Sequence, residues 1–370
     1  MAIVVDADTH IIESEGMWKL LEPSMYPRRP LLLSIPADTV YRNRNAFWLI
    51  DSQMFPKGAG RGGFSLSTPS AQLRQTSRTD ISIAAREATD PEARINDMDD
   101  LGVDVQVLYP TLFLVYVTDD PCLEAALCDA YNRWMGEMCA RSRGRLRWTA
   151  VLPLRSVDTS FEKINEQIRG QMTRAKEQGA VGLLFRGIER DRLLDDPSFF
   201  PIYEEAERLD LPICVHLGGG CPAWSEIFDL DRHGGFAPNT LLPVIAFHAL
   251  VMNRIPERFP RLRFGFIEAG ASWVPFLLHK LKRTLGANAQ AWGPQLFRDY
   301  RLYVACEADE DLPYLVQHIG EDNLLIGSDY GHADPSVEAE LVATLRARSD
   351  VTPGVVDKIL GLNAQTFYGL

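Results

Sequence analysis

The sequence predicts an α/β fold, a (β/α)8 TIM barrel with a long insertion after its first strand, on three observations. Eight short apolar runs recur through the chain, each followed by a polar or Gly-rich loop, as strands buried on both faces of a parallel sheet do. Stretches of helical length separate them. Charged and imidazole side chains collect where the runs end, and in such a barrel the C-terminal strand ends converge on one axis, where chemistry sits.

Taken in order, the runs are residues 3–6, 103–109, 148–152, 181–185, 212–217, 262–268, 302–306 and 324–329. Helices are predicted between them at 122–141, 161–178, 199–209, 241–253, 273–285 and 311–320. Residues 13–91 are too many for an ordinary connection between the first strand and the second. They are read as an inserted arm or lid over the barrel mouth, against the alternative of a disordered surface loop. The tip of the arm, Gly58-Ala-Gly-Arg-Gly-Gly-Phe64, is flexible by composition. On this reading residues 1–370 form a single barrel domain.

Composition narrows the function. With 46% hydrophobic and 24% charged residues the chain is an ordinary globular one. Its 50 acidic and 38 basic residues leave a net charge of −12, which argues against binding nucleic acid or anionic lipid, since both need clustered Lys and Arg. No run approaches the roughly 18 apolar residues of a membrane span. The start, Met1-Ala-Ile-Val-Val-Asp6, has neither a basic n-region nor a cleavage site. The six cysteines lack CxxC spacing and read as reduced thiols, so a cytoplasmic location is expected.

Four strand ends carry the candidate chemistry. The first ends in Asp6-Ala-Asp-Thr-His10, the fifth in Val215-His216, the sixth in Ile267-Glu268 and the eighth in Gly327-Ser-Asp-Tyr-Gly-His332. Asp8 and His10 are two apart, so on an extended segment their side chains face the same way and can share a metal. Asp329 follows an apolar run, where a carboxylate is costly to desolvate unless it meets a cation. Oxygen and imidazole donors without thiolates suit Zn, Mn or Fe in a working site better than a structural zinc. Taken singly, each His reads as a hydrogen-bonded core residue and each Asp as an N-cap. Coincidence at four strand ends favours the metal.

Other residues have two readings each. His248, inside the apolar helix at 241–253, either reaches the metal or packs. His332 is a candidate second donor or acid/base. Arg186, on the loop after the fourth strand, is a candidate anchor for a substrate carboxylate or for a phosphate on a thioester-linked carrier, or else a surface salt bridge. Phe113, Tyr116 and Trp224 either line an apolar substrate site at the mouth or pack in the core or lid.

Together these segments resemble the amidohydrolase-related branch of metal-dependent barrels that includes aminocarboxymuconate-semialdehyde decarboxylase and the resorcylate and carboxyvanillate decarboxylases. The resemblance rests on Asp6-Ala-Asp-Thr-His10, Met98-Asp-Asp-Leu-Gly-Val-Asp-Val-Gln-Val-Leu-Tyr-Pro110, Val215-His-Leu-Gly-Gly219, Glu257-Arg-Phe-Pro-Arg-Leu262, Glu268-Ala-Gly-Ala-Ser-Trp-Val-Pro275, Gly327-Ser-Asp-Tyr330 and Asn363-Ala, in the family's order across nearly the whole chain. It implies that Asp8, His10, His216 and Asp329 ligate a first metal, with Asp8 standing where the family has the first His of a His-x-His pair. In the decarboxylases the sixth strand ends in Gly-His-x-Gly-Glu, whose His protonates the aromatic carbon. Here the His position is Glu268 and the Glu position is Ala271.

A carboxylate at Glu268, facing a metal already held by Asp8 and Asp329, either repels or recruits a second cation. The expectation drawn from this departure is a dinuclear centre of two Fe held by Asp8, His10, His216, Glu268 and Asp329, with His332 managing protons. Such an enzyme would be a nonheme diiron monooxygenase hydroxylating a bulky apolar metabolite acid or acyl thioester, and it would need an external electron donor. The alternative keeps one Zn or Mn and carries out hydrolysis or nonoxidative decarboxylation, with Glu268 or His332 as acid/base. A noncatalytic binding barrel is disfavoured, because a binder has no need of so many converging ionisable groups. A small-molecule substrate is expected in either case, and a homodimer formed through the arm is a further expectation.

Overall fold

The computed structural model describes residues 3–34, 46–69, 80–155, 161–286, 292–332 and 337–370. Eight parallel strands form one sheet, each hydrogen-bonded to the next in chain order. They are β1 (Val5–His10), β2 (Val105–Tyr109), β3 (Leu146–Ala150), β4 (Ala180–Arg186), β5 (Ile213–His216), β6 (Phe264–Ile267), β7 (Leu302–Cys306) and β8 (Leu324–Ile326). The ring closes where the segment after β8 meets β1: the Asp329 N–H donates to the Asp8 carbonyl at 3.0 Å, and the His10 N–H to the Tyr330 carbonyl at 2.7 Å. Gly327 permits this approach, since a Cβ there would lie 2.3 Å from the Asp8 Cβ. The (β/α)8 architecture expected from the apolar runs is the observed one.

Strands buried on both faces explain why the runs were readable. All seven residues of β4 and all five of β7 are buried. Helices wrap the outside, and their ends carry local signals. Asp120 caps Pro121–Ala140 by accepting from the Cys122 and Leu123 N–H groups, and Pro91–Leu101 stops at Gly102 in the left-handed conformation that glycine adopts without strain. The C-terminal helix Asn363–Tyr368 packs against β1, where the Tyr368 hydroxyl donates to the Ala7 carbonyl at 2.7 Å and pairs with the Tyr109 hydroxyl.

Two strand boundaries differ from the sequence reading. β1 runs on to His10 instead of stopping at residue 6, because its polar side chains are met by partners inside the barrel and need no solvent. β8 stops at Ile326, and Asp329 beyond it sits at φ 52°, in the left-handed region. The described parts of the arm are structured: Leu31–Ser34, Ala46–Ile50 and Gln53–Phe55 form a three-stranded antiparallel sheet, and Trp48 is buried with its ring 6.0 Å from that of Trp18. Its Gly-rich tip bonds to the segment after β5, with the Gly62 N–H donating to the Phe228 carbonyl and the Leu230 N–H to Gly60. Residues 35–45 and 70–79 of the arm lie outside the described residues. Among the described residues, no helix is long and apolar enough to cross a membrane.

Candidate metal centre

The strand ends deliver their side chains to one point. Asp8 and His10 come from β1, His216 from the last position of β5, Glu268 from the residue after β6 and Asp329 from three residues beyond β8. The His10 Nε2 lies 3.5 Å from Asp8 Oδ1, 3.5 Å from Glu268 Oε2 and 3.6 Å from Asp329 Oδ1. The His216 Nε2 lies 3.3 Å from the same Asp8 oxygen and 3.1 Å from Glu268 Oε2. None of these side chains is more than 7% exposed. Donor atoms of Asp8, His10, His216 and Glu268 all lie within 4.8 Å of one another, as do those of His10, Asp329 and His332.

Backbone carbonyls orient the two imidazoles. His10 Nδ1 is 2.9 Å from the Pro110 carbonyl and His216 Nδ1 is 2.9 Å from the Leu217 carbonyl, so each Nδ1 carries a proton and each Nε2 is turned to the carboxylates. Glu268, at φ 55°, shares with Asp329 a backbone conformation that costs a non-Gly residue energy, and both carboxylates reach the axis from such positions.

The electrostatics call for positive charge. Burial opposes ionisation of Asp8, but His216 and His10 outweigh it and hold its carboxyl well below the usual range. Burial also opposes charging His10, yet hydrogen bonding to Asp8 and Glu268, with the charges of Asp8 and Asp329, pushes it up; His216 is raised against burial by Asp8 and Glu268. Burial first, and then the charge of Asp329, raises Glu268. Buried carboxylates and oriented imidazoles of this kind fit a divalent cation of the Zn or Mn type, and its binding displaces protons from the histidines. Ion affinity is therefore expected to increase as pH rises and the imidazoles lose their protons.

Several expected site residues lie elsewhere. His248 is exposed: the helix Leu241–Met252 turns Phe247 inward onto Phe266, Trp273 and Phe297, which puts the next residue on the outer side. Its expected metal contact is corrected accordingly. Arg186 is not a free anion anchor either. It forms a buried ion pair with Glu189, with Nη2 donating to Oε2 at 2.6 Å and Nε shared between both oxygens, and its guanidinium lies 4.0 Å over the Tyr116 ring. Phe113, Tyr116 and Arg186 border a space of about 20 Å³, room for a single water and not for a substrate. Phe113 also packs on Tyr131 and Trp18. Trp224, its Nε1 donating to the Ala237 carbonyl, packs in a satellite cluster with Ile188, Cys221 and Leu242.

Two site residues were missed in the sequence, Glu13 and Thr111. Glu13 follows β1, which carries Asp8 and His10, and Thr111 follows β2, so a position just after a strand end is the available signal, but in the sequence each reads only as part of a loop. The Glu13 carboxylate accepts from the Thr111 and Leu112 N–H groups at 3.0 and 2.9 Å and so holds the loop after β2 against β1. Burial pushes its carboxyl from 4.5 up to about 7 despite those two bonds. Between these values the folded state binds the extra proton, so Glu13 makes stability fall as pH rises from 4.5 to 7. Its replacement by Gln carries a constant cost and removes this slope. Urea unfolding at both ends of the window is expected to show the variant gaining about 3 kcal/mol on the wild type toward pH 7.5. An unchanged difference would contradict the assignment.

A family model described as amidohydrolase matches residues 5–370. The chain is 25% identical over 300 residues to a 2-amino-3-carboxymuconate-6-semialdehyde decarboxylase from Dictyostelium discoideum, covering 76% of this chain and 77% of the relative. It is 23% identical over 266 residues to a gamma-resorcylate decarboxylase from Rhizobium sp. (strain MTP-10005), covering 65% and 76%. An amidohydrolase structure from Mycobacterium avium subsp. paratuberculosis K-10 superposes over 100% of this chain and 98% of its own with a TM-score of 0.72 at 20% identity. A manganese-bound 5-carboxyvanillate decarboxylase from Novosphingobium aromaticivorans DSM 12444 gives 0.67 at 17%, over 100% and 97%. These findings overturn the expected diiron monooxygenase. The curated relatives are decarboxylases, and the two donor groups share His10 and fit a divalent cation without pointing specifically to two irons.

Proposed function

Since this chain belongs to the amidohydrolase family, we propose that it is a mononuclear metal-dependent lyase that decarboxylates a small unsaturated or aromatic acid. The observation that carries this reading is that the side chains of Asp8, His216 and Asp329 all approach His10, with Glu268 in one donor group with Asp8, His10 and His216, and His332 in the other with His10 and Asp329. Asp8, His10, His216 and Asp329 would hold one Zn or Mn, which when bound supplies Lewis-acid stabilisation of negative charge developing on the substrate.

The chain's own residues supply the proton. Glu268 occupies the position of the decarboxylases' acid His, and burial together with the Asp329 charge favours its protonated form. In the proposed step the bond from the substrate carbon to its carboxylate breaks, CO2 leaves, and the electron pair takes the Glu268 proton, so R–CO2⁻ plus H⁺ gives R–H plus CO2. The low exposure of the site keeps water from competing for that proton.

A second reading, hydrolysis, is favoured by one observation: the acid at this position is a carboxylate, which once ionised can take a proton from an attacking water. Six free thiols, five of them buried, agree with a reducing compartment. The Mn- or Zn-loaded chain is to be tested with dihydroxybenzoates and carboxymuconate-type acids. Oxygen-independent CO2 release that is lost in Glu268→Ala is expected. Acid release from esters or amides without CO2 would favour hydrolysis, and turnover that requires both oxygen and a reductant would overturn both readings.

A further inference from the structure

Thr111 makes a one-way hydrogen-bonded path from His332 to β1. Its Oγ1 is 2.6 Å from the Ile11 carbonyl, and a carbonyl only accepts, so the single hydroxyl proton is spent there. The same Oγ1 is 2.8 Å from His332 Nε2, and with its proton committed it can only accept, so Nε2 carries the hydrogen. The other ring nitrogen, Nδ1, is 2.8 Å from Asp329 Oδ1, and the His332 ring stacks on His10 with centroids 3.9 Å apart. Thr111 is itself held in place, since its N–H donates to Glu13.

From this geometry we infer that Thr111 is a positioning residue that fixes the tautomer of His332, so that His332 meets the bound cation and the substrate through the Nδ1 electron pair and not through an N–H. The inference rests on the metal reading proposed above and adds to it a residue that touches neither metal nor substrate. In the ion-free protein a proton on Nδ1 accounts for its 2.8 Å approach to the Asp329 oxygen, and a bound cation would take the place of that proton. With Nδ1 unprotonated, His332 can join Asp329 in facing that charge. A flipped tautomer would aim an N–H at it.

The test uses the full-length chain labelled with ¹⁵N-histidine and loaded with Zn, with His332→Asn to identify the signal. Nitrogen NMR is expected to show Nε2 protonated and Nδ1 unprotonated in the wild type and in Thr111→Ser. In Thr111→Val, which has no acceptor for Nε2–H, that pattern is expected to be lost. Zn affinity, measured by chelator competition, is expected to weaken about 10- to 100-fold in Thr111→Val and to stay near wild type in Thr111→Ser. A protonated Nδ1 in the loaded wild type, or equal affinity in Thr111→Val and wild type, would overturn the inference. If the wild type binds no cation, the metal reading fails by itself, and Nε2 protonation in the ion-free protein, kept in Thr111→Ser and lost in Thr111→Val, still decides the role of Thr111.

Discussion

Replacing Asp329 with Asn is expected to abolish binding of the divalent cation and to lower turnover on the order of 10³-fold, the upper range for removing one preorganised electrostatic partner. The change keeps shape and removes charge. Asn tolerates the left-handed backbone at this position, where φ is 52°, and the closing bond from the residue-329 N–H to the Asp8 carbonyl does not involve the side chain. What is lost is a carboxylate 3.6 Å from His10 Nε2 and 2.8 Å from His332 Nδ1. In the ion-free protein the substitution removes a negative charge that opposes ionisation of Glu268 and favours the charged form of His10, two opposing effects, so the ion-free variant is expected to stay close in stability to the ion-free wild type. A cation at 100 times its dissociation constant stabilises the wild type by about 2.7 kcal/mol and leaves the variant unmoved. Thermal unfolding with and without Zn or Mn separates the two. An unstable ion-free variant would mean that Asp329 serves the fold rather than the ion.

The second large effect is on folding. Glu189→Gln is expected to destabilise the protein by about 3–5 kcal/mol, because it leaves the Arg186 guanidinium buried without its counter-charge. Glu189 is fully buried; it accepts from the Arg186 backbone N–H at 2.6 Å, from Nε and Nη2, and from the Tyr116 hydroxyl at 2.8 Å. Gln keeps an acceptor for some of these donors but not the charge. Arg186→Met is destabilising for the mirror-image reason. The double variant is expected to be less destabilised than the two singles added together, by about 0.5–3 kcal/mol of coupling. Denaturant midpoints measure this, and simple additivity would show that Arg186 has another counter-charge. Register places Arg186 beside His216 on the neighbouring strand, so the ion pair also braces the strand end that carries a candidate ligand.

The barrel was legible because most of its strands are short, apolar and buried on both faces, a pattern few other arrangements require. The convergence of ionisable side chains was legible for a related reason: ionisable residues directly after apolar runs have no inexpensive place in a fold unless they meet one another. The misreadings follow from where periodicity carries no information. Leu241–Met252 is apolar nearly all round, so nothing in its sequence says which side faces in, and neither reading of His248, metal contact or packing, allows for the exposed position it takes beside the inward-facing Phe247. Arg186 was legible as a functional cation only while its partner was unknown. Glu189, three residues on, pairs with it through the turn between Ala180–Arg186 and the short strand Ile188–Glu189 that follows. Thr111 was hidden in an apolar loop because its role depends on partners about 100 and 221 residues away. The inference of two metals failed on geometry. An added carboxylate at Glu268 suggests a demand for a second cation, but its Oε2 lies 3.1 Å from His216 Nε2 and 3.5 Å from His10 Nε2, in one donor group with Asp8.

Metal stoichiometry of the purified full-length chain tests the central claim most directly. Elemental analysis after equilibration with Zn or Mn and removal of excess ion is expected to give one equivalent per chain for the wild type and none for Asp329→Asn. Two equivalents in the wild type, or one retained in Asp329→Asn, would contradict a single cation held by Asp8, His10, His216 and Asp329.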